Sequence, residues 1–329
     1  MSAATSFPID AVYTWVNLSS DADRELLARR LHGVRGVPHS ATAASRFRDL
    51  GTLGWSIRAL LRFAPWIRTV HIVTDGRTPL DLPADARIRI VPHAAFFRDV
   101  THLPTFNSYA IEANIGFVPE LAEHFIYFND DMFLGRPAEP SLFFEADGRA
   151  ICRFDDPLPR RHVLSRLICR LRGDMRLDTQ ILSADLVSHV LPDGARGHPA
   201  ARGRRLLRTV HQACAARTSV LRSLWDYQRI GSEVRGTSGR PCRGWGDVCP
   251  FTLMALLACH EGTARAGPRI SSAACFIRDE NLDERLFQAL LEERPALFCL
   301  NDDVRRREDV ARARIGEFLS VYFRGGGLV

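Results

Sequence analysis

Two pairs of adjacent aspartates are the residues of this sequence best suited to chemistry. Asp130 and Asp131 follow the apolar, aromatic run 124–128, and the same Asn-Asp-Asp motif recurs at 301–303. Apolar runs of this kind are typical of buried strands. A carboxylate pair at the end of a buried strand is costly to desolvate unless an arginine or a divalent cation compensates it. An Asn-Asp turn would explain one such motif, but the recurrence of the motif favours an acidic, cation-binding site.

Alternating strand and helix patterns in the N-terminal half predict the elements that would position these aspartates. Strands are expected over 9–16, 69–74, 88–91 and the run before Asp130, and helices from about Asp21, over 53–64 and over about 108–118. The alternation predicts an α/β sheet, which holds its ligands at the carboxyl ends of its strands. Polar and aromatic side chains lie at those ends, namely Tyr13, Thr14, Trp15, Asn17, Thr74 and Asp75.

The composition changes between about residues 155 and 244, where arginine and glycine are frequent. This segment has helical and loop-like patterns without a clear strand, and we interpret it as a helical, Arg-rich insertion lobe. Regular patterns return afterwards, with a buried helix at 250–261, strands near 273–277 and 296–300, and helices near 283–293 and 308–323. The chain 1–329 is therefore expected to be a single domain, with core-sheet segments at about 7–154 and 245–324.

Arginine carries all the positive charge, because the 329 residues include no lysine and the net charge is +6. A GC-rich genome would explain most of this bias. Even so, the arginine-dense segments 160–172 and 196–208 are suited to attract an anionic substrate or a membrane surface. No nucleic-acid-binding module is recognisable, so nucleic acid is not expected as a partner.

Cysteine usage and the N-terminal residues bear on location. The eight cysteines form no CxxC pair and several lie in apolar runs, which favours reduced, buried thiols over disulfides or zinc. Residues 1–8 have neither a basic segment nor an apolar core, and no apolar stretch is long enough to span a bilayer. The expected location is the cytoplasm, where the basic lobe would be free to contact the inner face of the cytoplasmic membrane.

Four longer motifs identify a known family. They are Ile-Asp-Ala-Val-Tyr-Thr-Trp-Val-Asn at 9–17; a long block from Ser-Arg-Phe-Arg-Asp at 45–49 to Phe-Ile-Tyr-Phe-Asn-Asp-Asp at 125–131; His211-Gln212, with Arg243 four residues before Asp247; and Cys-Leu-Asn-Asp at 299–302. These blocks resemble the Stealth family of hexose-1-phosphate transferases. That family includes bacterial capsule polymerases and the catalytic subunit of the lysosomal-targeting N-acetylglucosamine-1-phosphotransferase.

The resemblance implies a Stealth-type catalytic domain with a Rossmann-like, nucleotide-sugar-binding sheet and helices on both of its faces. The implied reaction transfers a hexose-1-phosphate from a nucleotide-sugar, expected to be UDP-linked, to a hydroxyl of a glycan acceptor. UMP would be released and a phosphodiester formed. The expected setting is synthesis of capsule or other cell-surface polysaccharide, and the expected cofactor is Mg²⁺ or Mn²⁺.

The residues can be assigned to this chemistry as hypotheses. Asp130, Asp131 and Asp302 would hold the cation against the diphosphate, while Arg243 would grip the transferred phosphate. His211 would take the acceptor proton. Glu112 has three open roles, which are orienting the histidine, binding the acceptor or completing the metal shell. The expected catalytic residues are thus Glu112, Asp131, His211 and Arg243, and the expected nucleotide-binding residues are Tyr13, Thr14, Trp15, Asn17, Arg46, Thr74, Asp75 and Asn107.

Two other functions are open at this point. A metal-dependent glycosyltransferase would use the same aspartates but release UDP, and a non-catalytic nucleotide-sugar-binding protein would bind without turnover. For single residues, the alternatives are a surface histidine at His211 and a solvated charge at Arg243. The sequence leaves open the donor sugar, the acceptor, single transfer against polymerisation, the metal, and whether the chain forms a homo-oligomer.

Overall fold

The computed structural model describes residues 6–18, 20–155, 158–159, 162–190, 205–206, 209–280, 282 and 284–324. Its strands are β1 (Ile9–Thr14), β2 (Val70–Thr74), β3 (Ile88–Pro92), β4 (His124–Asn129), β5 (Met132–Leu134), β6 (Ala150–Cys152), β7 (Leu158–Pro159), β8 (Arg205–Leu206), β9 (Cys214–Arg217), β10 (Ala264–Ala266), β11 (Ser272–Ile277) and β12 (Leu297–Asp302). Its α-helices are α1 (Asp21–Leu31), α2 (Leu53–Phe63), α3 (Ser108–Asn114), α4 (His162–Arg172), α5 (Met175–Val190), α6 (Thr218–Ser223), α7 (Ile230–Gly239), α8 (Pro250–His260), α9 (Glu284–Glu293) and α10 (Glu308–Arg324).

The largest sheet has five strands in the order β3-β2-β1-β4-β9. β1, β2, β3 and β4 are parallel, and β9 joins β4 in the antiparallel sense. Nearly every residue of β1, β2 and β4 is buried, as is usual for parallel strands covered on both faces. The predicted strands at 9–16, 69–74 and 88–91 are confirmed, and the protein is a mixed α/β fold with several sheets.

The late strands do not extend this sheet, and the expectation of one core sheet is wrong in this respect. β11 and β12 form a separate three-stranded sheet with β5, in the order β11-β12-β5. The chain ends β4 in the first sheet at Asn129 and begins β5 in the second sheet at Met132. Asp130 and Asp131 therefore lie at the junction of the two sheets, between the last residue of β4 and the first residue of β5.

The segment at about 155–244, expected to be an insertion lobe without strands, contributes the strand β9 to the largest sheet. β9 pairs with β4 through the register Tyr127↔Cys214, and α7 packs against α3. The four residues of β9 are Cys-Ala-Ala-Arg, which lack the branched and aromatic side chains that mark a strand in a sequence. Most of the arginine-dense segment 196–208 lies outside the described residues. None of the helices in the described part of the chain is long and apolar enough to cross a bilayer.

A fully satisfied carboxylate fixes the amino ends of the central strands. Asp10 of β1 is completely buried and accepts two hydrogen bonds from Arg68, at 2.8 and 2.7 Å, and one from the backbone N–H of Ala122 at 2.8 Å. His71 Nε2 of β2 lies 3.2 Å from the same carboxylate. Burial acts to raise the Asp10 pKa, yet these contacts hold it below its ordinary value. Asp10 therefore ties β1 to its two neighbours.

Candidate active site

The acid pair at the sheet junction has unusual electrostatic surroundings. Among the residues that the structure describes, no arginine or histidine forms an ion pair with Asp130 or Asp131, and Asp131 Oδ1 is buried without a hydrogen-bond partner. Burial raises the pKa of Asp130 well above its usual range, with further contributions from Asp131 and Asp49. Burial also raises the pKa of Asp131 to about 6, against a hydrogen bond from the Cys299 thiol. Both carboxylates lack the compensation that a bound cation would supply.

The strand β9 explains why His211 reaches this junction. Because β4 and β9 are antiparallel with Tyr127 opposite Cys214, continuing the register three residues places His211 level with Asp130. One ligand atom each of Asp131, His211 and Cys299 lies within 4.8 Å of the others. His211 is therefore not a histidine on the open surface, because it is partly buried and its ring contacts Asn301. Burial lowers the pKa of His211 to about 3, with a further contribution from Arg176.

Asn301 of β12 determines the tautomer of this histidine. His211 Nε2 lies 2.9 Å from Asn301 Oδ1, and the amide Nδ2 of Asn301 faces the carbonyl of Cys275 at 3.5 Å. Since the amide nitrogen faces a carbonyl, the amide oxygen must face the ring, and Nε2 must be the protonated nitrogen. The lone pair is then on Nδ1. Asn301, and not Glu112, orients the imidazole among the described residues.

Arg243 faces the site from a loop that is anchored to the start of α3. Its guanidinium donates to Ser108 Oγ, at 2.9 Å from Nε, and stacks 4.6 Å from the centre of the Tyr109 ring. The loop is held by buried Asp247, which accepts from Arg240 at 2.6 Å, from the Gly244 N–H at 2.8 Å and from Asn107 Nδ2 at 3.0 Å. Arg243 has no carboxylate partner in the described chain, yet it is not a freely solvated charge.

Glu112 lies on α3, one turn after Ser108 and so on the same face of the helix. The residue is 7% exposed, and burial raises the pKa of its carboxyl to about 7, against the nearby Arg243. Tyr127 OH donates to Asn129 Oδ1 at 2.7 Å, and its oxygen lies 3.4 Å from Glu112 Oε1. Arg243 lies close enough to perturb both Glu112 and His211, so all four predicted catalytic residues share one electrostatic neighbourhood.

Two further arginines face this neighbourhood, and neither has a carboxylate partner among the described residues. Arg176 of α5 acts electrostatically on Asp131, His211 and Cys299. Arg46 is half-buried, and burial lowers its pKa to about 10, with a contribution from Arg243. Arg176 was not predicted from the sequence. It is one of many arginines in its segment, and only the packing of α5 distinguishes it.

The assignment of Asp302 as a metal ligand is not supported. Arg48 donates to both carboxylate oxygens of Asp302, and the Val304 N–H donates to Oδ1 at 2.9 Å. The two side chains are 8% and 13% exposed, so this ion pair already compensates Asp302. Asp49 is the acidic residue that the prediction missed. It accepts from Trp15 Nε1 at 3.0 Å and contributes to the raised pKa of Asp130.

Several predicted nucleotide-binding side chains are structural. Tyr13 is fully buried, stacks on Phe128 at 4.8 Å and shares a 2.9 Å hydrogen bond with Ser56. Thr74 and Asn107 are also fully buried, and each accepts a backbone N–H that closes a local turn or begins a helix. These three side chains are thus engaged inside the protein, and their burial does not support the assignment to nucleotide binding.

The other predicted nucleotide-binding residues lie at the strand ends with local partners. Thr14 Oγ1 donates to Asn129 Oδ1 at 3.3 Å, which places it beside the acid pair. Arg77 joins the loops after β1 and β2, since it donates to the Asn17 carbonyl and lies 3.3 Å from Asp75. Trp15 is 5% exposed and positions Asp49 through its indole N–H. Thr14, Trp15 and Arg46 thus lie beside the charged groups described above, whereas Asp75 pairs with Arg77.

The fold and the site define a mixed α/β protein in which an acid pair and several arginines without a carboxylate partner among the described residues lie near one sheet junction. Residues 46–152 match the model of conserved region 2 of Stealth proteins. The chain therefore carries conserved region 2 of the Stealth family. The matched region contains Arg46, Asp49, Glu112, Asp130 and Asp131, whereas His211, Arg243 and Arg176 lie beyond it.

Curated relatives are named as polysaccharide phosphotransferases. An exopolysaccharide phosphotransferase of Streptomyces coelicolor is 32% identical over 97% of this chain and 32% of its own length. A capsular polysaccharide phosphotransferase of Haemophilus influenzae is 29% identical over 97% of this chain and 85% of its own length. One from Neisseria meningitidis serogroup B is 42% identical over 44% of this chain and 40% of its own length. The chain spans less than two thirds of the length of most of these relatives.

Among solved structures, apo mouse xyloside xylosyltransferase 1 matches 90% of this chain and 97% of that chain, with 9% identity and a TM-score of 0.36. A likeness at this level does not bear on function.

Proposed function

We propose that this chain transfers a hexose-1-phosphate from a UDP-linked sugar to a hydroxyl of a glycan acceptor, with release of UMP, in synthesis of capsule or exopolysaccharide. The names of the relatives support phosphotransfer in polysaccharide synthesis. One observation links the proposed reaction to this site. Asp130 and Asp131 have no positive partner, three arginines nearby have no carboxylate partner, and the two sets do not pair with each other in the described residues.

A gap between unpaired positive and negative groups suits a ligand that carries both charges. A divalent cation on a diphosphate is such a ligand, because the cation meets the carboxylates and the phosphate oxygens meet the guanidinium groups. Arg243, Arg176 and Arg46 would bind the phosphates, and the planar guanidinium gives bidentate contacts that a point charge does not. Ser108 holds the Arg243 group in place through its Oγ.

The residues present fit Mg²⁺ or Mn²⁺. Asp130 and Asp131 would hold the ion, and the orphaned, buried Oδ1 of Asp131 is the best indication that a ligand is expected there. When bound, the cation would neutralise charge on the non-bridging phosphate oxygens. Asp49 lies close enough to contribute to the same negative field, while Asp302 is occupied by Arg48.

His211 would take the proton of the acceptor hydroxyl. Its ring is neutral across the physiological range, because burial lowers its pKa to about 3, and Asn301 leaves the lone pair on Nδ1. A base with so low a pKa is weak, so a partner that stabilises the protonated ring is needed during transfer. Asp131, within 4.8 Å, and the incoming phosphate oxygens are the groups positioned to do this.

Glu112 would meet the acceptor rather than the histidine. It lies beside Arg243 and Tyr127 on the inner wall of the site, and Asn301 already orients the ring of His211. With a pKa of about 7, the carboxyl can either donate or accept a hydrogen bond to a sugar hydroxyl near neutral pH.

The released nucleotide tests the proposal. The protein would be incubated with a panel of UDP-sugars, a glycan acceptor and Mg²⁺, and the products separated by chromatography. UMP is expected from the wild type, and Asp131→Asn should lower its formation by about 10³-fold or more, the order expected for loss of a metal ligand at a phosphoryl-type site. Asp303→Asn is the matched control from the second Asn-Asp-Asp motif, because Asp303 pairs with Arg278 at the surface. Release of UDP, or no dependence on Asp131, would overturn the proposal.

A further inference from the structure

Cys299 introduces a sulfur donor beside the acid pair, which an oxygen-preferring cation does not need. The register of β12 with β5 places Cys299 opposite Met132, the residue after Asp131. In addition, the backbone N–H of Leu300 donates to the Asp131 carbonyl at 2.9 Å, which fixes the two segments side by side. The thiol is fully buried and donates to the Asp131 carboxylate.

The three side chains Asp131, His211 and Cys299 together offer one oxygen, one nitrogen and one sulfur within 4.8 Å of one another. Mg²⁺ takes oxygen ligands almost alone, whereas Zn²⁺ accepts thiolate, imidazole and carboxylate in tetrahedral sites. Ligand atoms of a tetrahedral zinc lie roughly 3.3–3.8 Å apart at ordinary bond lengths, so modest side-chain rotation would bring these donors into range. Three protein ligands leave a fourth position for water.

Two independent features indicate that these donors are prepared for a metal. Asp131 Oδ1 is buried and has no hydrogen-bond partner. The His211 ring donates its Nε2–H to Asn301 Oδ1 at 2.9 Å, which is the outer contact usual for a metal-binding histidine. No cysteine spacing in the sequence indicated zinc, because the three donors come from three distant segments that only the sheet junction unites.

We propose that Asp131, His211 and Cys299 form a binding site for Zn²⁺ or another thiophilic divalent ion, and that its occupation blocks the enzyme. On binding, the Cys299 thiol loses its proton to solvent and the thiolate sulfur bonds the metal. The same ion occupies the carboxylate of Asp131 and a ring nitrogen of His211, which leaves neither free for phosphosugar transfer. The blocking rests on the proposed function, whereas the binding does not.

The binding test uses Co²⁺ as a spectroscopic substitute for Zn²⁺ and needs no substrate. Titration of the metal-free full chain with Co²⁺ should produce a thiolate-to-cobalt charge-transfer band in the near ultraviolet, and added Zn²⁺ should abolish it. Cys299→Ser should lack the band. Cys275→Ser is the matched control, because Cys275 is a buried cysteine on the neighbouring strand β11 and should keep the band.

The inhibition test measures transfer with Mg²⁺ fixed and Zn²⁺ varied, each variant being referred to its own zinc-free rate. The Zn²⁺ concentration for half inhibition should rise at least ~10-fold in Cys299→Ser and stay unchanged in Cys275→Ser, since even an outer-contact loss weakens zinc binding by that order.

Absence of the cobalt band in the wild type would overturn the zinc site whatever the activity. Equal inhibition of both variants, or activation by Zn²⁺, would overturn the blocking. If the cobalt band is present but the zinc-free assay yields no UMP, the zinc site is supported and the proposed function is overturned.

Discussion

The aspartates at the two ends of the central strands β1 and β4 have opposite surroundings. At the amino end, Asp10 is surrounded by Arg68, His71 and a backbone N–H, and its pKa is lowered. At the carboxyl end, Asp130 and Asp131 have no ion-pair partner among the described residues, and their pKa values are raised. The central strands thus carry one carboxylate that its own neighbours satisfy and, within the described part of the chain, a pair that has no ion-pair partner.

The contrast separates what holds the fold from what the site does. Asp10 gains hydrogen bonds on folding, so its ionised form stabilises the native state. The acid pair loses hydration without gaining an ion-pair partner among the described residues, so its ionised form destabilises the ligand-free protein. Groups whose own surroundings do not satisfy them are therefore the best guide to the ligand.

After Asp131→Asn, the largest expected effect comes from an arginine that the sequence did not reveal. Arg176→Ala should lower kcat/KM for phosphosugar transfer by roughly 10²–10³-fold, because it removes one positive group from the anion half of the site. Arg172→Ala on α4 is the control, since Arg172 is exposed and belongs to the same arginine-rich lobe. Steady-state kinetics with UMP detection measures both. Equal rates for the two variants would place Arg176 outside the site.

The comparison of the two ends becomes a stability experiment with matched substitutions. Asp10→Asn should lower the free energy of unfolding by roughly 2–4 kcal/mol, because Arg68 and His71 lose their buried carboxylate. Part of that effect is screened, since the Arg68 side chain is 46% exposed. Asp131→Asn should leave the metal-free protein as stable as the wild type or more so. Urea denaturation measures both, and a larger loss for Asp131→Asn would reverse the comparison.

Glu112 predicts a pH dependence of stability with a definite sign. Its folded pKa of about 7 exceeds the ordinary value of 4.5, so the fold disfavours the ionised form. The resulting destabilisation is absent below the ordinary pKa, grows as pH rises between the two values and is constant above the folded pKa. Glu112→Gln should therefore gain stability over the wild type at about pH 8 and little at about pH 4, by urea denaturation at each pH. A gain of the same size at both would contradict the burial argument.

Asn301 should give the smallest effect. Asn301→Ala removes the acceptor that holds His211 Nε2–H, so kcat should fall by roughly 10-fold while KM for the UDP-sugar changes little. Nitrogen NMR of the ring should show the wild type as the Nε2–H tautomer and the variant as a mixture. An unchanged tautomer in the variant would remove Asn301 from this role.

The sequence predicted the elements better than their assembly. The periodicity of strands at 9–16, 69–74 and 124–128 located β1, β2 and β4, since apolar runs report burial directly. The second sheet was missed because pairing of β12 with β5 is a long-range choice that no local pattern encodes. β9 was missed because Cys-Ala-Ala-Arg carries no strand signature.

The same distinction applies to the site. Family motifs led to Glu112, Asp131, His211 and Arg243, and the structure brings these four together. The roles of three other residues could be judged only from the three-dimensional structure. Asp302 has an arginine of its own, Arg176 is one arginine among many, and the Cys299 donor meets Asp131 only across two sheets. Sequence motifs identify candidate residues, whereas their ion-pair and hydrogen-bond partners in the structure show which side chains are free to bind a ligand.

The central claim is that Asp131 is left unsatisfied in order to hold a divalent cation. Thermal denaturation with and without Mn²⁺ tests this claim most directly, because an ion that binds only the native state raises the denaturation temperature. Mn²⁺ should raise that temperature for the wild type and for Asp10→Asn, each relative to its own metal-free value, but not for Asp131→Asn. An equal rise in Asp131→Asn, or no rise in the wild type, would contradict the claim.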